Sequence, residues 1–204
     1  MRRFAIGALF LVLTVSVLAQ VPGFTPFSGD MTSKMSDGKT MNGKVYFTTN
    51  KMRMDMNMGG KDAVLINDSA KSTAYMIMPS QKMYMEFHAG QGMRGVPKMS
   101  DLKNYDPNNP CAQAQDMTCE KQGSETINGR STDKWLMKSK KDNTTMNMWL
   151  DKKIHFPVRT VTKDMQMDLT NIQEGEPSAS LFEIPTGFRK FDMGAFAGGR
   201  PQSQ

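Results

Sequence analysis

From Phe27 onward the chain alternates apolar and polar residues in short runs with a period of two. Met52, Met54, Met56 and Met58 interleave with Lys51, Arg53, Asp55 and Asn57, and the spacing returns at Met76/Met78, Met83/Met85, Met146/Met148 and Met165/Met167. A β-strand sends residues i and i+2 to the same face. Each pair therefore lays two thioethers side by side, while Asn147, Gln166 and Asp168 point the other way. That is the pattern of an antiparallel sheet wetted on one side.

The punctuation predicts the rest. Strands are expected at Phe27–Met35, Gly43–Thr49, Met52–Met58, Ala63–Asn67, Lys71–Met78 and Lys82–Phe87. Turns fall at Asn50-Lys51, Gly59-Gly60, Asp68-Ser69 and Pro79-Ser80. Such short connections permit only antiparallel neighbours. The run Ala63-Val64-Leu65-Ile66 suggests burial on both sides. From His88 to Glu120 the period is lost in a stretch rich in Gly, Pro, Asn and Asp. Two short helices are expected there, one near Lys98–Tyr105 and one starting at Asn109-Pro110, where Asn caps and Pro takes the first helical position. Alternation resumes at Glu120–Ile127. Asn128-Gly129, a strong hairpin signal, leads into Arg130–Lys140. Thr145–Asp151, Pro157–Lys163 and Met165–Ile172 follow, and Leu181–Ile184 is a last apolar stretch. The chain reads as mainly β, with eleven or twelve short strands.

The N-terminus adds a compartment. Arg2 and Arg3 precede an apolar stretch from Phe4 to Leu18, and Ala19 offers a small residue for cleavage before Gln20. This is the layout of a secretory signal, and it is short of the ~20 residues a membrane span needs. Residues 1–19 are therefore expected to be a signal peptide. Residues 20–191 are expected to form one domain and 192–204 a disordered tail. The product would be periplasmic or secreted and monomeric. Losing Arg2 and Arg3 lowers the formal charge from +6 to +4. The remaining lysines are scattered among acids, which argues against nucleic acid and leaves room for transient contact with an anionic membrane surface. The two cysteines, Cys111 and Cys119, are expected to pair in an exported chain. Closing that loop contributes roughly 2–3 kcal/mol in the chain-entropy model.

The order of motifs resembles a known group. Phe27-Ser28-Gly29-Asp30-Met31, Gly43-Lys44-Val45-Tyr46-Phe47 and Lys51-Met52-Arg53-Met54-Asp55 open the series. A Met-Pro-x-x-Lys-x-Tyr stretch from Met78 to Tyr84 follows, then Asn128-Gly129-Arg130, Trp149-Leu150-Asp151, Phe156-Pro157-Val158-Arg159 and Leu181-Phe182-Glu183-Ile184-Pro185. In this order they resemble bacterial exported proteins of unassigned function related to the LolA/LolB lipoprotein-carrier superfamily, over roughly residues 27–191. The resemblance implies an antiparallel half-barrel of about eleven strands with a short helical or irregular covering segment. It also implies an apolar concave face that holds lipid in the carriers. Here that face would be methionine-rich, where the carriers are richer in aromatics.

Candidate chemistry follows from the methionines. An ordinary core is one reading, although cores prefer Leu, Ile and Val for their defined rotamers. Methionine is over-used on surfaces that accept varied apolar partners. Binding of an acyl chain, lipid or lipidated peptide is the function expected, at Met54, Met56, Met76, Met78, Met83, Met85, Trp135, Met148 and Met167. The segment from His88 to Cys119 would act as a flap over it. Each methylene buried contributes ~0.8 kcal/mol, so specific polar contacts are not required. The alternative is a soft-metal protein of the periplasm, because thioethers select Cu(I). Met146-Asn147-Met148-Trp149 is its most suggestive fragment. No cofactor, resident metal site or enzymatic activity is expected. His88 and His155 read as exposed or structural, and Asp151, Asp164 and Asp168 as solvated charges on the polar strand face. Gly90-Gln91-Gly92-Met93-Arg94-Gly95 only loosely matches a phosphate loop, since Pro97 interrupts what should be a helix.

Overall fold

The computed structural model describes residues 24–58, 60–88, 106, 108–112 and 116–191. The expected signal peptide, the tail, the Lys98–Tyr105 helix and the glycine-rich 90–95 stretch lie outside these residues. The strands are β1 (Phe27–Met35), β2 (Thr40–Phe47), β3 (Lys51–Met58), β4 (Lys61–Asp68), β5 (Thr73–Met78), β6 (Met83–His88), β7 (Met117–Ile127), β8 (Arg130–Ser139), β9 (Thr145–Asp151), β10 (Pro157–Val161), β11 (Met165–Glu174) and β12 (Arg189–Lys190). They form one open sheet in the order β12-β6-β5-β4-β3-β2-β1-β11-β10-β9-β8-β7. β1 lies between β2 and β11, so two meanders run outward from it in opposite directions. Every pairing is antiparallel except β12 on β6. Asn128 and Gly129 both take positive φ, 51° and 77°, as the predicted two-residue hairpin requires.

Three expectations change. β7 begins at Met117, ahead of Glu120, because its first residues pair with the end of β8. Asn109 opens a hydrogen-bonded turn, Ala112 N–H to Asn109 C=O at 2.9 Å, in place of the expected helix start. Leu181–Ile184 is not a strand. Ala179–Phe182 is a 3₁₀ turn, and the twelfth strand is the charged pair Arg189–Lys190.

Packing explains that segment. Val64, Ile66 and Ile77 emerge from one side of β4 and β5 and are covered by Phe182, with Leu181, Phe188, Tyr46, Tyr75 and Tyr84 around them. Arg53 fixes the cover by donating Nη1–H to the Leu181 carbonyl at 2.6 Å while its Nε holds Asp55. β4 is buried on both sides, since Leu65 points the other way and is also buried. There, Phe27, Phe47 and Phe156 form a cluster with centroids 4.5–5.3 Å apart. Met31, Val45, Met52, Leu65, Val158 and Leu169 join it. β2 and β3 approach closely at this place: a Cβ on Gly43 would sit 2.5 Å from the Asp55 carbonyl oxygen.

Two carboxylates tie the second meander together. Asp151, 1% exposed, accepts from Arg130 and from the backbone N–H groups of Lys153 and Ile154 at 2.8 and 2.9 Å. Burial alone would raise its pKa, yet these donors hold it below the usual carboxylate value. Removing one partner of a buried pair leaves an uncompensated charge, so Asp151→Ala should cost about 3–5 kcal/mol in denaturant unfolding. Asp133 is likewise partly desolvated, but Lys121, Ser124 and Lys152 donate to it and bring its pKa to about 2. A folded pKa below the unfolded one stabilises above the unfolded value and is lost as pH falls through the folded one. The stability difference between the parent and Asp133→Asn should therefore shrink by roughly 2 kcal/mol between pH 6 and pH 2, measured by denaturant titration at each pH.

Candidate functional site

Directly paired residues on neighbouring strands share a face, so the register can be followed across the whole sheet. From β1, Ser33 pairs with Met167, Met167 with Thr160, Thr160 with Met148, Met148 with Trp135 and Trp135 with Lys121. In the other direction Met31 pairs with Gly43 and Gly43 with Met56. Val45 pairs with Met54, then Leu65, Met76 and Met85, and Met78 pairs with Met83. Ser33 and Met31 are both on the Phe27 side of β1. All nine residues singled out from sequence therefore project from one face.

They do not form one compact site. At about 4.8 Å per strand, β6 and β8 lie roughly 43 Å apart along the unrolled sheet. Met54, Met56 and Met167 pack against the central phenylalanine cluster. Trp135 and Met148 are buried, 7% and 5% exposed, with Met137 and Leu150 in a second cluster. Cys111, Cys119, Met117 and Met146 border it. The Cys111–Cys119 disulfide is present, with Cα atoms 5.7 Å apart. It fixes one end of the 89–116 connection to this face; the flap expected between its ends lies largely outside the described residues. Met76, Met78, Met83 and Met85 form a third group on β5 and β6 and are half-buried.

The same face carries methionines that pair-spacing missed. Met31 of β1 and Met41 of β2 belong to no Met-x-Met pair and are in phase with Phe27 and with Val45 and Phe47. Met137 lies opposite Met146, and Met35 opposite Met165. Strand phase, without the demand for a Met-x-Met pair, would have found all of them.

The reverse side is ionic. Lys44 and Arg53 lie over Tyr46, and Arg159 donates to Asp168, which Gln166 also binds at 2.6 Å. Trp149 gives its Nε1–H to Glu125 at 3.0 Å, between Lys134 and Arg159. The three aspartates weighed for catalysis are thus dispersed. Asp151 and Asp168 are engaged by arginines, and the Asp164 carbonyl accepts from Ser36. His88 lies 3.6 Å from Glu86, and the His155 N–H closes a turn onto Asp151. Among the described residues no group of three His, Cys, Asp or Glu side chains is placed to hold a metal.

One polar atom on the methionine side stands out. Trp135 Nε1 is buried and has no hydrogen-bond partner, the single such side-chain nitrogen or oxygen among the described residues. An unmet buried donor costs about 1–3 kcal/mol. Lys121 Nζ lies 5.8 Å from the same ring, bonded to Asp133. The face thus ends, on β7 and β8, in an unpaired donor beside a charged cluster.

Two solved structures share this fold at low identity, and a third match is weaker. An uncharacterized conserved protein from Thermus thermophilus superposes with a TM-score of 0.54 at 11% identity, over 82% of this chain and 90% of that one. A chain of the Pseudomonas aeruginosa MucA/MucB complex gives 0.53 at 10% identity, over 79% of this chain and 56% of that one. A LolA superfamily protein from Nitrosomonas europaea gives 0.38 at 9% identity, over 79% and 91%. No curated protein matches the sequence. Residues 27–155, more than half of the chain, match the family described as "Domain of unknown function (DUF4412)", and the chain belongs to that family.

Proposed function

We propose that this protein is a non-enzymatic, extracytoplasmic binder of an apolar ligand, an acyl chain, a lipid or a lipidated peptide, laid along the methionine face. The observation that carries the reading is register: both meanders direct their thioethers to one side, and most ion pairs lie on the other, with Lys121–Asp133 beside Trp135 the exception. An apolar sheet face of this extent is normally covered by something. Among the described residues the Ala179–Phe188 segment caps the opposite side, while Phe24, Ile154 and Phe156 reach the centre of the methionine face and Cys111 its Trp135 end. Thioether side chains with three torsions suit a ligand whose shape varies along its length. The lipid use of the LolA/LolB carriers, which the order of motifs resembles, points the same way. The disulfide suits an oxidising compartment.

Trp135 gives the ligand a polar end. Its unpaired Nε1–H would meet an acceptor oxygen, an acyl carbonyl or carboxylate, and the chain would then run over Met148 and Met167 toward Met54 and Met56. Native mass spectrometry of protein taken from its own host should show a co-purified apolar molecule. A delipidated sample that ignores fluorescent fatty acids would sink the proposal. Trp135→Phe keeps an aromatic ring and removes the donor. One neutral hydrogen bond is worth about 0.5–1.5 kcal/mol, so the variant should bind such a probe roughly 2- to 13-fold more weakly. Its fold should be unchanged by circular dichroism, and unaltered affinity would remove Trp135 from the site.

A further inference from the structure

Met76, Met78, Met83 and Met85 differ from the other methionines of this face. β5 and β6 pair with Met76 opposite Met85 and Met78 opposite Met83. Both pairs point to the same side, since residues i and i+2 of each strand do. The four Cα atoms are therefore the corners of a rectangle, about 5 Å across the strands and about 7 Å along them. Each corner bears an unbranched side chain ending in a thioether, and three torsions let the four sulfurs converge above the rectangle.

Packing partners separate this quartet from its neighbours. Met54, Met56 and Met167 pack on the phenylalanine cluster, and Met146 and Met148 on the Trp135 cluster. Those sulfurs are used in packing, which removes the sequence fragment Met146-Asn147-Met148-Trp149 as a place for an ion. None of the quartet belongs to the buried clusters formed by the described residues, and all four are half-buried. The strands beneath them are nonetheless held firmly, with Ile77 1% exposed on the reverse side and Tyr75 and Tyr84 packed around it. On the methionine side Leu65 pairs with Met76 and Ala74 with Phe87, and at the outer edge Arg189 of β12 pairs with Met83.

Four neutral, polarizable thioether donors select one kind of ion. Hard cations need carboxylate or carbonyl oxygens to replace their water. Thioethers favour a soft, weakly hydrated monovalent ion. We infer that Met76, Met78, Met83 and Met85 form a binding site for a soft monovalent cation of the Cu(I) class. The site is independent of the acyl-chain reading, because it lies at the opposite end of the sheet from Trp135 and needs no lipid.

The test uses protein labelled with ¹³C at the methionine methyls and titrated with Ag(I), a redox-inert ion of the same class. One equivalent should shift four methyl resonances, those of Met76, Met78, Met83 and Met85. Competition with a Cu(I) chelator under anaerobic conditions should give saturable binding. Replacing all four by Leu, close in volume, should weaken that binding at least 100-fold, whereas Met146→Leu with Met148→Leu and Trp135→Phe should leave it unchanged. If the fourfold variant fails to fold, Met76→Leu with Met83→Leu, which removes two opposite corners, should still cost at least tenfold. Shifts centred on other methionines, an absence of saturable binding, or affinity retained in either quartet variant would overturn the assignment.

Discussion

The ladder between β1 and β11 is the constraint on which the methionine face depends. It joins residues near the start of the domain to residues some 140 positions later, and it is the seam between the two meanders. Because side chains alternate with period two, slipping this one pairing by a residue would send the second meander's thioethers to the opposite side. Met148 and Met167 would then face away from Met54 and Met56. The register is pinned from several directions. Phe27 and Leu169 are fully buried from opposite strands of the pair. A bulge between Ser28 and Asp30 is matched by Asn171 in the left-handed region, and Asn171 bonds back to Asp30 at 2.8 Å. A long loop must close before this ladder rewards the chain, so it is the expensive contact in folding.

Most of the sheet was legible because period two is a direct consequence of strand geometry. The hairpin at Asn128-Gly129 was legible because few residues tolerate two successive positive φ values. What failed has physical reasons. Leu181–Ile184 announces burial but not conformation, and its burial is satisfied by capping Ile66 and Ile77 rather than by pairing. Arg189–Lys190 has no apolar signal at all; it is a strand only because its backbone meets β6, aided by Lys190 on Glu86. The start of β7 was obscured by the irregular composition before it. The unpaired Trp135 Nε1 could not have been read from sequence, since it depends on what the folded neighbours fail to offer.

The charged residues show a related division of labour. Asp151 and Asp133 attract a search for catalytic acids, but their pKa values are pushed down, away from the range useful for proton transfer near neutrality. Their donors, Arg130, Lys121 and Lys152, come from neighbouring strands or the β9–β10 turn. These networks fix strands β7 to β10, a bulged part of the sheet where the ladder itself is interrupted. The electrostatics here serve geometry.

Methionine sets the terms of the whole arrangement. Its side chain loses up to about 1.5–2 kcal/mol of conformational entropy when fixed, more than Leu or Ile. A sheet faced with it specifies its own packing poorly. Uniqueness must then come from elsewhere, and the structure supplies it through stacked phenylalanines at the centre, the aromatic cap on the reverse side and the ion pairs around Trp149. With the fold held by those groups, methionines such as Met54, Met56, Met76 and Met85 can remain half-buried and adaptable. Flexibility and polarizability are one property of the thioether. The same kind of side chain suits both proposals, an acyl chain along the centre of the sheet and a soft ion where β5 and β6 bring four thioethers together. Leucine in every one of these positions would keep the apolar face and remove the flexible, polarizable thioethers on which both proposals rest.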